Sequence, residues 1–156
     1  MAAGKTTVGS LLAQSLGCPF LDLDALVEKK AGKTLAQIFA DDGEPAFRTA
    51  EAACLKWALS KYEGSAAVLA LGGGTLENAA SARAVKEKSL CIYLEAPADV
   101  LEERIASGGP SRPLASRIGE LLPLRIPVYE STAHITLDTQ GITPQQIVDE
   151  IIIDCL

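Results

Sequence analysis

Gly4-Lys5-Thr6 carries the residue types that close a phosphate-binding loop. The glycine permits a tight turn, the lysine can reach the β- and γ-phosphates of a nucleotide, and the hydroxyl can ligate Mg²⁺. The full pattern is G-x-x-x-x-G-K-[ST], and counting back from Gly4 puts its first glycine two residues ahead of Met1. The part within the sequence is the half that meets phosphate. Backbone N–H groups from Ala3 to Thr6, with Thr7 and the positive end of the following helix behind them, favour a polyphosphate. On their own these residues read equally well as an ordinary helix start. Further along stand a carboxylate pair, Asp22 and Asp24, and three consecutive glycines, Gly72, Gly73 and Gly74, each at the end of an apolar run.

Positioning such residues takes regular elements, and the apolar pattern supplies them. Val8, Leu11, Leu12 and Leu16 follow helical spacing up to a terminating Gly17. Residues 19–24 read as a short strand, and Asp24 is placed to cap a helix over 25–31 that Gly32 stops. Thr34 and Gln37 form a capping box, and a longer helix is expected over 45–61. Ala66 to Leu71 and Leu90 to Leu94 are continuous apolar runs, as strands covered on both faces are. A helix over 78–88 separates them. Pro97 opens another helix as an N1 proline, and residues 107–113, rich in Gly, Ser and Pro, read as a mobile loop. A helix around 118–129 is expected to be broken or kinked by Pro123 and Pro127. A last strand over 133–137 precedes a terminal helix capped by Thr143 and Gln146, with Pro144 at N1. Strands alternating with helices predict a three-layer α/β domain on a parallel sheet, with its ligand beyond the carboxyl ends of the strands. The carboxylates, the glycine run and the phosphate loop then face one cleft.

Taken in order, G-K-T-T, F-L-D-L-D at 20–24, F-R-x-x-E at 47–51, L-G-G-G at 71–74, R-P-L at 112–114 and R-x-P-x-Y at 125–129 resemble the shikimate kinase family over essentially the whole chain. The resemblance implies a small P-loop kinase fold related to nucleoside monophosphate kinases, spanning residues 1–156 as one domain with a lid at about 107–116. It implies transfer of the ATP γ-phosphate to the 3-hydroxyl of shikimate, with Mg²⁺, in aromatic amino acid biosynthesis. Asp24 would accept the hydroxyl proton, with Lys5 and Arg112 stabilising the phosphoryl group in flight. Arg48 and Arg125 would clamp the substrate carboxylate, and Gly72 to Gly74 would let backbone approach the substrate. Asp22 would stand near the metal with Thr6, and Arg104 would pack on the adenine. Read as residues alone, Asp24 can also serve as a helix cap, Arg48 as a surface arginine paired with Glu51, Arg112 as a polar loop residue and Arg104 as a snorkelling side chain. Two other readings stand beside this one: a gluconate kinase-like enzyme of the same fold, and a non-catalytic kinase-like binding module.

The remaining composition narrows the partners. The 156 residues suffice for one domain, 48% of them are hydrophobic, and the net charge of −6 argues against nucleic acid as the main partner. Any anionic substrate must be held by a few placed arginines. Cys18, Cys54, Cys91 and Cys155 lie far apart and read as buried small hydrophobes in a reducing cytoplasm, Trp57 is assigned to packing, and His134 reads as a strand-edge residue. No apolar run approaches the length that spans a bilayer, and similar proteins are small monomers. Two departures from the family pattern stand out. Ala2 occupies a loop position that is usually glycine, at about 1 kcal/mol of strain if φ is positive there. The strand that leads into the loop in family members, central in the sheet between the runs at 66–71 and 90–94, has no counterpart in the sequence, so a gap of about 10 Å lined by unpaired backbone is expected. Weak folding and little activity are the expected consequences, relieved by adding an apolar strand and the first glycine ahead of Met1.

Overall fold

The computed structural model describes residues 3–107 and 117–155. Helix α1 (Lys5–Leu16) leads to strand β1 (Phe20–Asp22), helices α2 (Leu23–Ala31), α3 (Leu35–Asp41) and α4 (Gly43–Lys61), and strand β2 (Val68–Ala70). A 3₁₀ turn (Thr75–Glu77), α5 (Ala79–Lys88), β3 (Ile92–Glu95), α6 (Ala98–Ala106), α7 (Ile118–Thr132), β4 (Ile135–Asp138) and α8 (Pro144–Cys155) follow. The expected alternation is present, and every strand pair is parallel. Among the described residues the strands form two separate two-stranded sheets, β1 on β2 and β3 on β4.

Two apolar cores hold the layers together. One gathers Val8 and Leu12 of α1, Leu94 of β3, Leu122 of α7, and Ile147, Val148 and Ile151 of α8. The other gathers Leu23 and Val27 of α2, Phe47, Cys54 and Leu55 of α4, and Val85 of α5. Gly9 explains how α1 lies so close to the β1–β2 pair: a Cβ there would stand 2.7 Å from the Phe20 ring. Between β2 and β3 runs a largely apolar cleft of about 480 Å³, lined on its two long sides by Val68–Leu71 and Cys91–Leu94. The ladder bonds of β2 go to β1 and those of β3 to β4, so the facing edges of β2 and β3 do not pair with each other. That separation is where the sequence places the gap.

Several local expectations change. Asp22, not Asp24, caps α2: its carboxylate accepts from the N–H groups of Asp24 at 3.0 Å and Ala25 at 3.4 Å, since only a residue in extended conformation just ahead of the first turn can aim its side chain back at those donors. Pro97 takes the N-cap position of α6 rather than N1. Helix α7 runs unbroken through Pro123 and Pro127. Each proline removes one ladder donor, while burial of Ile118, Leu121, Leu122 and Arg125 holds the helix in place. Both capping boxes form, Thr34 with Gln37 and Thr143 with Gln146. Trp57 is 46% exposed on the outer face of α4, where it packs under the Lys61 ammonium rather than in the core. Of the cysteines only Cys54 is buried, and all four are free thiols. His134 is a strand-edge residue, its Nδ1 accepting from the Cys91 N–H at 3.0 Å. Among the described residues no helix is long and apolar enough to cross a membrane.

Candidate active site

Gly4 adopts φ of +82°, a left-handed conformation that favours glycine, and its carbonyl accepts from the Val8 N–H, so α1 begins immediately behind the loop. Lys5 and Ala3 line the same β2–β3 cleft that Gly72 and Gly73 line. The Thr6 hydroxyl donates to Asp22 Oδ2 at 3.0 Å. With its other oxygen capping α2, Asp22 therefore ties the start of α1 to the end of β1. Thr6 and Asp22 together present hard oxygen donors next to the loop, the chemistry that Mg²⁺ selects. Among the described residues no group of three or more His, Cys, Asp or Glu is arranged to hold a metal ion by itself, so a cation here would take its other ligands from phosphate and water. Thr7 is exposed on the first turn of α1.

The glycine run passes over a carboxylate cluster. A Cβ on Gly72 would stand 2.8 Å from Glu51 Oε1, 3.0 Å from Asp24 Oδ1 and 3.1 Å from Thr75 Oγ1, so one small residue covers all three groups. The Thr75 hydroxyl donates to Glu51 Oε1 at 2.8 Å, and Arg48 Nη1 donates to Glu51 Oε2 at 3.0 Å. Burial pushes the Glu51 carboxyl above its ordinary range, and the Asp24 charge pushes the same way, against the pull of Thr75 and Arg48. Desolvation works against the charge on Arg48, but the neighbouring Glu51 and Glu44 outweigh it and hold the guanidinium ionised.

Next to this cluster the two candidate clamp arginines meet. Arg125, on α7, is 3% exposed, and its Nη2 donates to Glu77 Oε2 at 3.0 Å; its Nε has no hydrogen-bond partner. Arg48 Nη2 lies 3.8 Å from that same Glu77 oxygen and 3.2 Å from Glu44 Oε1. The two guanidinium groups thus converge on one point beside Gly74, whose Cβ would stand 2.4 Å from Arg48 Nη2 and 2.6 Å from Glu77 Oε2. Tyr129, one helical turn beyond Arg125, donates its hydroxyl to the Gly73 carbonyl and fixes the glycine run to α7; burial pushes that hydroxyl up to about 12.

Of the residues singled out in the sequence, Ala3, Lys5, Gly72 and Gly73 line the cleft, Thr6 bonds Asp22 at the end of β1, and Asp24, Arg48, Gly74 and Arg125 gather with Glu51 and Glu77 around the glycine run that follows β2. Arg104 stands in the last turn of α6, which packs on α7. Ala2, Arg112 and the lid from 108 to 116 lie outside the described residues. Glu77, Thr75 and the bond from Tyr129 to Gly73 were not foreseen. Thr75 directly follows the glycines and could have been suspected, whereas nothing in sequence links Glu77 to Arg125.

A family model described as shikimate kinase matches residues 1–156. Curated relatives named shikimate kinase include one from Rhodopseudomonas palustris, 39% identical over 156 residues that cover 96% of this chain and 74% of that protein. Another, from Thermobifida fusca, is 40% identical over 149 residues, covering 92% and 84%. Among solved structures, a shikimate kinase from Acinetobacter baumannii in complex with shikimate superposes with a TM-score of 0.87 at 34% identity, over 97% of this chain and 86% of that one. The Aquifex aeolicus shikimate kinase gives a TM-score of 0.83 at 34% identity, over 97% and 89%.

Proposed function

The chain belongs to the shikimate kinase family, and on that premise we propose that it transfers the γ-phosphate of ATP to the 3-hydroxyl of shikimate. The observation that carries the reading is the convergence of Arg48 and Arg125 beside Gly74, next to the Asp24 carboxylate under Gly72. Two planar guanidinium groups at one point suit a carboxylate, and a carboxylate beside them suits a hydroxyl on the same small molecule.

Lys5 and the backbone from Ala3 to Thr7 hold the nucleotide phosphates, and Thr6 with Asp22 would hold Mg²⁺, which when bound neutralises charge on the β- and γ-phosphates. Arg48 and Arg125 fix the acid end of shikimate, while Gly72 to Gly74 let its ring lie against backbone. Asp24 accepts the proton of the attacking hydroxyl as its oxygen bonds to the γ-phosphorus. The bond from that phosphorus to the β–γ bridging oxygen breaks, and its electron pair leaves with ADP. Lys5 and, in this reading, Arg112 from the lid stabilise the charge spread over the phosphoryl oxygens. Arg104 is assigned to the adenine, and the enzyme to the cytoplasm as a monomer acting on small molecules; the net charge of −6 supports that choice over nucleic acid.

The test is ADP release, coupled to a reporter enzyme, over a panel of shikimate, gluconate and water alone. Shikimate-dependent release with a phosphorylated product of shikimate is expected. Release with gluconate only would move the chain to another kinase class, and tight shikimate binding without release would make it a binding module.

A further inference from the structure

Glu77 lies where an arriving substrate acid has to bind. Its Oε2 touches Arg125 Nη2 at 3.0 Å and Arg48 Nη2 at 3.8 Å, and it stands within 2.6 Å of where a Cβ on Gly74 would be. It thereby sits between both guanidinium groups and against the glycine backbone, the place assigned above to the substrate carboxylate. We infer that Glu77 is an internal competitor, a carboxylate of the chain that occupies the arginine clamp and that the substrate acid must displace, so that it sets how tightly the substrate binds. This assignment rests on the proposed function.

Three features support displacement over a fixed structural pairing. The first is exposure. Arg125 is 3% exposed and needs a counter-charge, whereas the Glu77 side chain is 41% exposed and can swing into water. The second is geometry: Glu77 meets both arginines through a single oxygen and leaves the buried Arg125 Nε without a partner. An untethered carboxylate can offer both oxygens to the fork and make the bidentate pair that Glu77 does not. The third is charge. Around the clamp, Glu44, Glu51 and Glu77 face Arg48 and Arg125, and the Asp24 charge acts on Glu51 from behind, so an anion entering with Glu77 in place meets a surplus of negative charge. Outward rotation of Glu77 removes one of those charges and frees Arg125 Nη2 beside the already unpartnered Nε, while Arg48 Nη2 keeps its bond to Glu44 at 3.2 Å. Glu51 cannot serve in this way, because it is buried and held by both Thr75 and Arg48.

The experiment compares the intact protein with E77Q and E77D in steady-state assays varying shikimate and then ATP, with calorimetric binding of shikimate alongside. Removing a partly exposed ion pair that competes with substrate lowers KM and Kd for shikimate in E77Q by about three- to tenfold. KM for ATP stays put, and the effect falls on KM rather than kcat. E77D, which keeps the charge on a shorter stem, stays closer to the intact protein. If Glu77 instead orients Arg125 for the substrate, E77Q raises KM for shikimate, and the assignment fails; an unchanged KM overturns it too. An intact protein that neither binds nor phosphorylates shikimate overturns the functional reading and this inference together, whereas an active intact protein with an unimproved E77Q overturns this inference alone.

Discussion

Replacing Gly74 by alanine tests the arginine clamp without replacing a charged residue. Gly74 has φ of −102° and ψ of 1°, a conformation open to alanine, so the substitution adds no backbone strain and its effect is steric. The new methyl would stand 2.4 Å from Arg48 Nη2, 2.7 Å from Arg48 Cζ and 2.6 Å from Glu77 Oε2. Ordinary contact begins at 3.4 Å, so the guanidinium must withdraw by about 1 Å. It cannot do so freely, because Nη1 is held at 3.0 Å by Glu51, itself buried and held by Thr75 at 2.8 Å. Loss of half to all of one charge-assisted hydrogen bond, about 1.5–3 kcal/mol, lowers kcat/KM for shikimate by roughly 10- to 100-fold. The assay is coupled ADP release with shikimate varied at saturating ATP, with KM for ATP and the far-ultraviolet circular dichroism unchanged as controls. A G74A protein with wild-type kcat/KM for shikimate would refute the placement of Arg48 in the substrate site; an equal loss for ATP would refute its restriction to the acid end.

Further outcomes follow from other parts of the site. D24N is expected to keep shikimate Kd within a few-fold while kcat falls by about 100-fold or more, read by calorimetry and single-turnover phosphate transfer. The Tyr129 hydroxyl is raised from 10.0 to about 12 in the folded chain, so the folded state retains a proton that the unfolded state sheds. Its contribution is intact below pH 10 and declines as pH rises to about 12, by roughly 2–3 kcal/mol, and denaturant titrations of Y129F should lose correspondingly less stability across that window. A run of about five apolar β-branched residues placed ahead of Met1 should enter the β2–β3 cleft, whose end Ala3 lines, and raise Tm by roughly 5 °C or more. A Gly-Ser run of equal length should not, and equal melting of the two extended proteins would show that the cleft does not accept a strand.

The fold was legible where the determinants are local. The capping boxes at Thr34 and Thr143, the glycine stops at Gly17 and Gly32, and the apolar runs that became β2 and β3 are all written in near neighbours. Asp24 was misread as a cap because Asp22 and Asp24 are both capping residues two positions apart, and only the extended backbone at Asp22 decides between them. The prolines of α7 misled for the opposite reason: a local rule was overridden by burial of Leu121, Leu122 and Arg125, which sequence alone does not weigh. That Trp57 packs at the surface under Lys61, on a face of α4 that points outward, is not readable from its residue type. In the site, Glu51 could be paired with Arg48 from helical spacing, whereas Glu77 reaches Arg125 across 48 residues of chain. Contacts of that kind become visible only once the helices are docked.

The central claim is that Asp24, Arg48 and Arg125 close on a single small acid beside a nucleotide held by Lys5. A crystal structure of the protein with shikimate and a non-hydrolysable ATP analogue tests it most directly. The expected result is the shikimate carboxylate on Arg48 and Arg125, with Glu77 turned away, and the 3-hydroxyl between the Asp24 carboxylate and the terminal phosphate. Shikimate bound with its carboxylate away from both arginines, or with no hydroxyl in hydrogen-bonding reach of Asp24, would contradict it.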